Sequence, residues 1–195
     1  MSTETQPWWW KNLPNIITVS RLFLALILFA MISAWPDSLG LAAAILCLLA
    51  AATDAADGFI ARRYNLVSTF GRIVDPFADK IIVCGTFIFL VERSAQSGVT
   101  GLMAAIVVGR EMFVTGLRSF LEQQGKDFSA TWSGKLKMIL QCLALTLALL
   151  TFDKHFQSTE WIRYRDISLW AAVALTFYSG AIYAVRGAQL LRPNP

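Results

Sequence analysis

The sequence predicts an all-α integral membrane protein, a bundle of six transmembrane helices preceded by an N-terminal juxtamembrane segment. Three observations carry that expectation. The 195-residue chain is 56% hydrophobic with a mean hydropathy of +0.54, too apolar for an ordinary soluble domain. Six runs of about 20 mostly apolar residues, the length that crosses a bilayer, account for nearly all of it. The positive charges divide unevenly between the two sets of loops those runs leave, as membrane topology requires.

Residues 1–15 read as a tail followed by an interfacial segment. In "PWWWKNLPN" three tryptophans, a lysine and two prolines suit the depth of lipid headgroups, as a short helix lying there or as an irregular aromatic anchor. Residues 16–192 form a single six-helix domain, with spans at Ile16 to Ala34, Leu39 to Ala56, Ile73 to Val91, Val99 to Phe120, Trp132 to Phe152 and Ile167 to Gln189. The first run is long and lacks a small-residue cleavage site, so it is expected to stay as a span. The second is rich in alanine, which lets helix backbones approach closely in lipid. "WPDSLG" and "ERSAQSG" read as short external turns, "EQQGKDFSATWSGK" as a cytoplasmic loop and "DKHFQSTEWIRYRD" as a long external loop. His155, the only histidine, falls in that external loop as a surface residue.

Cys47, Cys84 and Cys142 all lie in spans, are odd in number and lack metal-binding spacing, so they are expected to be packing residues. The formal charge of +4 matters less than its placement, and no nucleic-acid partner is expected. Lys11, Arg21, Arg62, Arg63, Arg72, Lys126, Lys135, Lys137, Arg186 and Arg192 fall at or near one side. Arg93, Lys154, Arg163 and Arg165 fall on the other, and Lys80, Arg110 and Arg118 within spans. The excess places both termini and the "RRYNLVSTFGR" loop in the cytoplasm.

Chemistry concentrates between the second and third spans. Asp54 and Asp57 are three residues apart, roughly 60° around a helix, and Asp75 and Asp79 four apart, roughly 40°. Two neighbouring helices therefore each present a carboxylate pair, at an end of the bundle where unpaired anions are costly to desolvate. The counter-charge is either structural, from Arg62, Arg63, Arg72 and Lys80, or ionic, since clustered carboxylate oxygens are the ligands that Mg²⁺ and Mn²⁺ prefer. Four carboxylates suit two cations about 3.5 to 4 Å apart, the arrangement used in phosphoryl transfer. Gly58 leaves room for a phosphate or a base to reach the backbone.

These residues spell Asp54-x-x-Asp57-Gly58-x-x-Ala61-Arg62, eight residues, Gly71-x-x-x-Asp75-x-x-x-Asp79, which resembles the signature of the CDP-alcohol phosphotransferases at every fixed position. The six-span plan agrees with that family over essentially the whole chain. The resemblance implies that Asp54, Asp57 and Asp75 ligate metal, with Asp79 completing the site and acting as general base. It implies that Gly58, Arg62 and Gly71, with Ser68 from the same loop, hold the CDP-diacylglycerol, bordered by Thr18 and Ser20 of "PNIITVSR". Two divalent cations, Mg²⁺ or Mn²⁺, and a homodimer in the bacterial cytoplasmic membrane are further implications.

The signature fixes the donor better than the acceptor. Arg110 and Glu111 lie within the fourth span, where an arginine needs a partner or a polar cavity, and they form either a structural pair or part of a site. Arg118 and Lys135 are better placed to grip an anionic acceptor. Lys135 and Lys137 are also open to reading as a topology signal. Together "NLPNIITVSRL", "DPFADK", "GREMFVTGLRS" and "SGKLKM" resemble the bacterial phosphatidylglycerophosphate synthase branch, which implies glycerol 3-phosphate as acceptor, bound by Arg110, Arg118 and Lys135. A cardiolipin synthase or phosphatidylinositol-phosphate synthase would share the aspartates. A cation-coupled transporter would instead place acids near the bilayer midplane with helices broken in paired positions, and a silent scaffold would have no need of all four aspartates.

Overall fold

An apolar run that leaves no water for its backbone must close its own hydrogen bonds, and the helix does this within one segment. The computed structural model describes the backbone of residues 8–34, 36–64, 69–126 and 132–191, and side chains at 16, 18–34, 39–53, 77–78, 80–126, 132 and 134–191. Over these residues the chain is all-helical: α1 Trp8–Ala34, α2 Pro36–Tyr64, α3 Thr69–Val91, the single turn α4 Ser94–Ser97, α5 Gly101–Gln123, α6 Trp132–Leu150, a 3-10 turn at Lys154–Phe156, and α7 Thr159–Leu191. The six long helices coincide with the six apolar runs.

Two boundaries differ from the sequence expectation. The tryptophan-rich segment is neither a separate short helix nor irregular from Trp8 onward, because α1 runs unbroken from Trp8 through Pro14 to Ala34. The expected external loop is also mostly helix. α7 starts at Thr159, eight residues before the apolar run, with the Ile162 N–H donating to the Ser158 carbonyl. Hydropathy misses such a start because its turns are polar, yet Trp161 packs edge-on against Phe156 at 5.1 Å and so secures it. α2 carries a kink at Leu39, whose backbone leaves the helical region.

The core lies where α2, α3, α5, α6 and α7 converge, around Phe87, Leu90, Met103, Leu145, Leu149, Phe152 and Leu169, with Ala43, Ala44, Ala144, Ala148 and Ala172 as spacers. The alanines of α2 and α6 bring these two helices close, and a Cβ on Gly40 would come 2.8 Å from the Leu149 carbonyl oxygen. α1 packs against both α2 and α3 with one stripe, Thr18, Arg21, Ala25, Leu28, Phe29 and Ile32, all buried. Phe29 stacks on Phe89 at 4.7 Å, and its ring occupies the space a side chain on Gly85 would need.

One end of the bundle is tied by carbonyl-capping arginines. Arg93 donates to the Ser33 carbonyl at 2.9 Å, and buried Arg165 donates to the Gln96 carbonyl at 2.5 Å while pairing with Asp166 at 2.7 Å. Beyond them, His155 is exposed as expected. Its backbone N–H and ring Nδ1 both bond Asp153, at 3.0 and 2.8 Å, which holds that carboxyl below its ordinary range. All three cysteines are free.

The outer faces of the helices are apolar: Phe23, Leu26, Leu49, Met112, Phe113, Ile139, Trp170 and Phe177 are exposed. Among the described residues α7 is the helix both long and apolar enough to cross a membrane, with shorter apolar stretches at Thr18–Ala34, Leu39–Thr53 and Lys80–Val91.

The contact between Gly85 and Phe29 generates a test. Gly85→Val should separate α1 from α3 and destabilise the fold by about 1–3 kcal/mol, the usual cost of overpacking. Thermal unfolding of the detergent-solubilised protein reads this, and an unchanged midpoint would show that the two helices do not depend on that contact.

Candidate active site

The aspartate signature sits on two consecutive helices. Asp54, Asp57, Gly58, Ala61 and Arg62 lie on the last three turns of α2, and Gly71, Asp75 and Asp79 on the first three of α3. Both pairs are thus on continuous helix, where spacings of three and four residues bring positions to one face. Four residues separate the two helices in sequence, so the acidic segments end α2 and begin α3. Ser68 and the side chains of residues 54–76 and 79, which include the four aspartates and Arg62, lie outside the described residues. Among the described residues no three metal-ligating side chains come together.

The donor chemistry fits divalent cations. Hard carboxylate oxygens, from four aspartates on two helices, match Mg²⁺ or Mn²⁺ rather than a soft metal, and all three cysteines lie among packed helices outside the signature.

Of the two hydroxyls expected to border the donor, Thr18 is buried, whereas Ser20 is exposed. Two residues on a helix span about 200°, so only one of the pair can face inward. The same stripe carries Arg21, three residues after Thr18 and buried, a cation that the sequence reading counted only toward topology.

A second polar cluster lies where α5, α6 and α7 meet. Arg110 Nη1 donates to Glu111 Oε1 at 3.1 Å, and Arg110 Nη2 donates to Ser179 Oγ on α7 at 2.6 Å. Its guanidinium lies 5.3 Å over the Tyr183 ring. Lys137 of α6 donates to the same Glu111 oxygen, and both side chains are buried. One turn along α6, Gln141 donates to Thr176 of α7 at 2.9 Å. α3, the helix that bears Asp75 and Asp79, packs against both α5 and α6, which carry this cluster.

Arg118, eight residues beyond Arg110, is half-buried, and its Nε has no hydrogen-bond partner among the described residues. Lys135 is exposed, with Nζ 5.6 Å over the Trp132 ring. The structure therefore joins Arg110, Glu111 and Lys137, leaves Arg118 with an open donor, and puts Lys135 on the outside of α6. Lys137, Ser179 and Tyr183 were missed as members of a site. For Lys137 a signal existed, since a helix that faces Lys135 outward must turn Lys137 inward; Ser179 and Tyr183 carried none.

The family model for CDP-alcohol phosphatidyltransferases matches residues 11–178. The chain belongs to this family. Members of the CDP-alcohol phosphatidyltransferase family to which it is similar include the CDP-diacylglycerol–glycerol-3-phosphate 3-phosphatidyltransferases of Bacillus subtilis, Rickettsia typhi and Salmonella typhimurium. The first is 35% identical over 94% of this chain and 98% of the relative. The second is 36% identical over 89% and 95%, and the third 33% over 90% and 96%. The matched span contains the whole aspartate signature together with Arg110, Glu111, Arg118, Lys135 and Lys137.

The two lysines of α6 should differ in what they support. Lys137→Met strips a buried carboxylate of one partner and should cost about 3–5 kcal/mol, whereas Lys135→Met loses at most an exposed cation–π contact of about 0.5–1 kcal/mol. Thermal unfolding of both variants checks the order, and equal losses would contradict the opposite facing of the two side chains.

Proposed function

We propose that the protein transfers a phosphatidyl group from CDP-diacylglycerol to the primary hydroxyl of sn-glycerol 3-phosphate, giving phosphatidylglycerophosphate and CMP. The observation that carries this reading is the likeness, over about nine-tenths of both chains, to relatives named for that transferase. The unbroken aspartate signature on α2 and α3 supports it.

The reaction divides among the chain's own residues. Asp54, Asp57, Asp75 and Asp79 hold two divalent cations, and Gly58, Arg62, Ser68 and Gly71, bordered by Thr18 and Ser20, seat the cytidine and its pyrophosphate. Bound Mg²⁺ or Mn²⁺ supplies neutralisation of the pyrophosphate and of the departing CMP. Asp79 takes the proton of the acceptor hydroxyl as its oxygen bonds to the lipid-side phosphorus and the bond from that phosphorus to CMP breaks. The acceptor's phosphate is held by Arg110 and Arg118, with Lys135 nearer the water. A planar guanidinium matches phosphate oxygens with paired donors, and an orphaned Nε–H on Arg118 suits an anion.

In this reading α1, α2, α3, α5, α6 and α7 cross the bacterial cytoplasmic membrane, with both termini and the aspartates on the cytoplasmic side, and the enzyme works as a homodimer. The apolar outer faces of these helices support the spans, and the excess of Lys and Arg near the aspartate end supports the orientation. The placement lets a lipid donor and a water-soluble acceptor meet at one interface.

CMP release by the purified protein, with CDP-diacylglycerol and a panel of alcohols, tests the assignment. Release should require glycerol 3-phosphate and a divalent cation; release with inositol phosphate or phosphatidylglycerol alone would overturn the acceptor. Asp79→Asn should keep the fold and lower turnover by about 10²–10⁴, the scale of general-base catalysis. Wild-type turnover in that variant would remove Asp79 from the role of base.

A further inference from the structure

Glu111, on α5, is the one carboxylate among the described residues that is buried. Its carboxylate meets two cations. Arg110 reaches it from the same helix and Lys137 from α6, both through Oε1. Two cations on one anion leave this buried cluster with a surplus of one positive charge. Arg118, further along α5, adds another. A surplus cation in a low-dielectric interior is costly unless an anion neutralises it.

The cluster is also built to hold its shape. Arg110 is fixed from three directions: Glu111 at Nη1, Ser179 at Nη2, and the Tyr183 ring beneath. Gly180 lets the arginine stem lie against α7, since a Cβ there would come 3.0 Å from Arg110 Cγ. The Nε–H groups of Arg110 and Arg118 are nonetheless buried without a hydrogen-bond acceptor among the described residues. A rigid cluster with surplus positive charge and two open donors on one helix is complementary to an anion. A phosphate monoester, carrying about −1.5 to −2 charges at neutral pH, would balance both arginines' surplus.

We propose that Glu111 is a positioning residue for the phosphate of the acceptor: it bridges Arg110 and Lys137 across α5 and α6, fixing their cationic heads and reducing their joint charge to match the phosphate. The proposal rests on the reading that glycerol 3-phosphate is the acceptor. Glu111 itself does not touch the phosphate, because like charges repel; it acts through the two cations it holds. Without it the two heads repel each other and move apart, and the acceptor loses its oriented donors while the nucleotide end, on α2 and α3, is untouched.

The test uses full-length protein in detergent with Mg²⁺, measuring initial rates of CMP release against glycerol 3-phosphate at saturating CDP-diacylglycerol, and the converse. Glu111→Gln should raise the KM for glycerol 3-phosphate about tenfold or more, the loss expected when charge-assisted donors are misplaced. The KM for CDP-diacylglycerol should stay within about twofold. Glu111→Asp should recover part of the loss. The double variant with Lys137→Met should fall short of the sum of the single effects, as two members of one network do.

A second readout needs no turnover: inorganic phosphate should raise the thermal midpoint of the wild type and do so less in Glu111→Gln. If Glu111→Gln does not fold, Ser179→Ala, which frees Arg110 without changing charge, should raise the same KM selectively. Equal rises in both KM values, or an unchanged acceptor KM in a folded variant, would overturn the proposal. The wild type decides the parent reading separately. Should it use only another alcohol, the acceptor assignment falls; the role of Glu111 is then read on that alcohol, and falls too if the alcohol carries no phosphate.

Discussion

Four carboxylates within two helical segments at one end of an apolar bundle cannot stand without counter-charge, and the rest of the molecule is arranged around that need. Desolvating each unpaired anion costs several kcal/mol, more than a marginally stable fold can absorb four times over. The segments sit at the junction of α2 and α3, where only four residues separate the helices. α1 packs on both helices, and Thr18 and Arg21 lie on its buried stripe. The remaining charge is provided for by divalent cations in the proposed mechanism, and by the donor's pyrophosphate once those cations are bound.

Where α5, α6 and α7 meet, the problem is inverted. Arg110, Lys137 and Arg118 bring positive charge into apolar surroundings, and Glu111 offsets only part of it. α7 is what makes this tolerable. At 33 residues it is about 50 Å long, longer than the hydrocarbon core is thick. It supplies Ser179 and Tyr183 to Arg110 and Thr176 to Gln141, and it comes close enough at Gly180 and Gly187 for Arg110 and Leu117 to lie against its backbone. Small residues at a helix seam and polar groups that satisfy one another are the two means by which helices associate in lipid.

What the sequence made legible was local. The aspartate signature reads directly because its members lie within one or two turns of each other, and the helices read from hydropathy because each apolar run must close its own backbone bonds. The polar first turns of α7 and the tryptophan turns of α1 were hidden, since their helicity continues a neighbour rather than a pattern of their own. Harder still were the partners of Glu111. Its pairing with Arg110 was open to reading from adjacency, but Lys137 is 26 residues away and Ser179 is 69 from Arg110, and which of two lysines turns inward depends on how α6 rolls against its neighbours. Arg21 was counted as a topology charge although its spacing from Thr18 already placed it on the buried stripe.

The claim on which the account turns is that the α2–α3 carboxylates hold divalent cations. Manganese titration of the full-length protein in detergent, followed by the electron paramagnetic resonance of free Mn²⁺, measures this without reference to turnover. Two-cation binding at these carboxylates predicts saturable uptake of two ions per chain in the wild type and its loss in Asp75→Ala. Uptake that is absent in the folded wild type, or unchanged by Asp75→Ala, would contradict it.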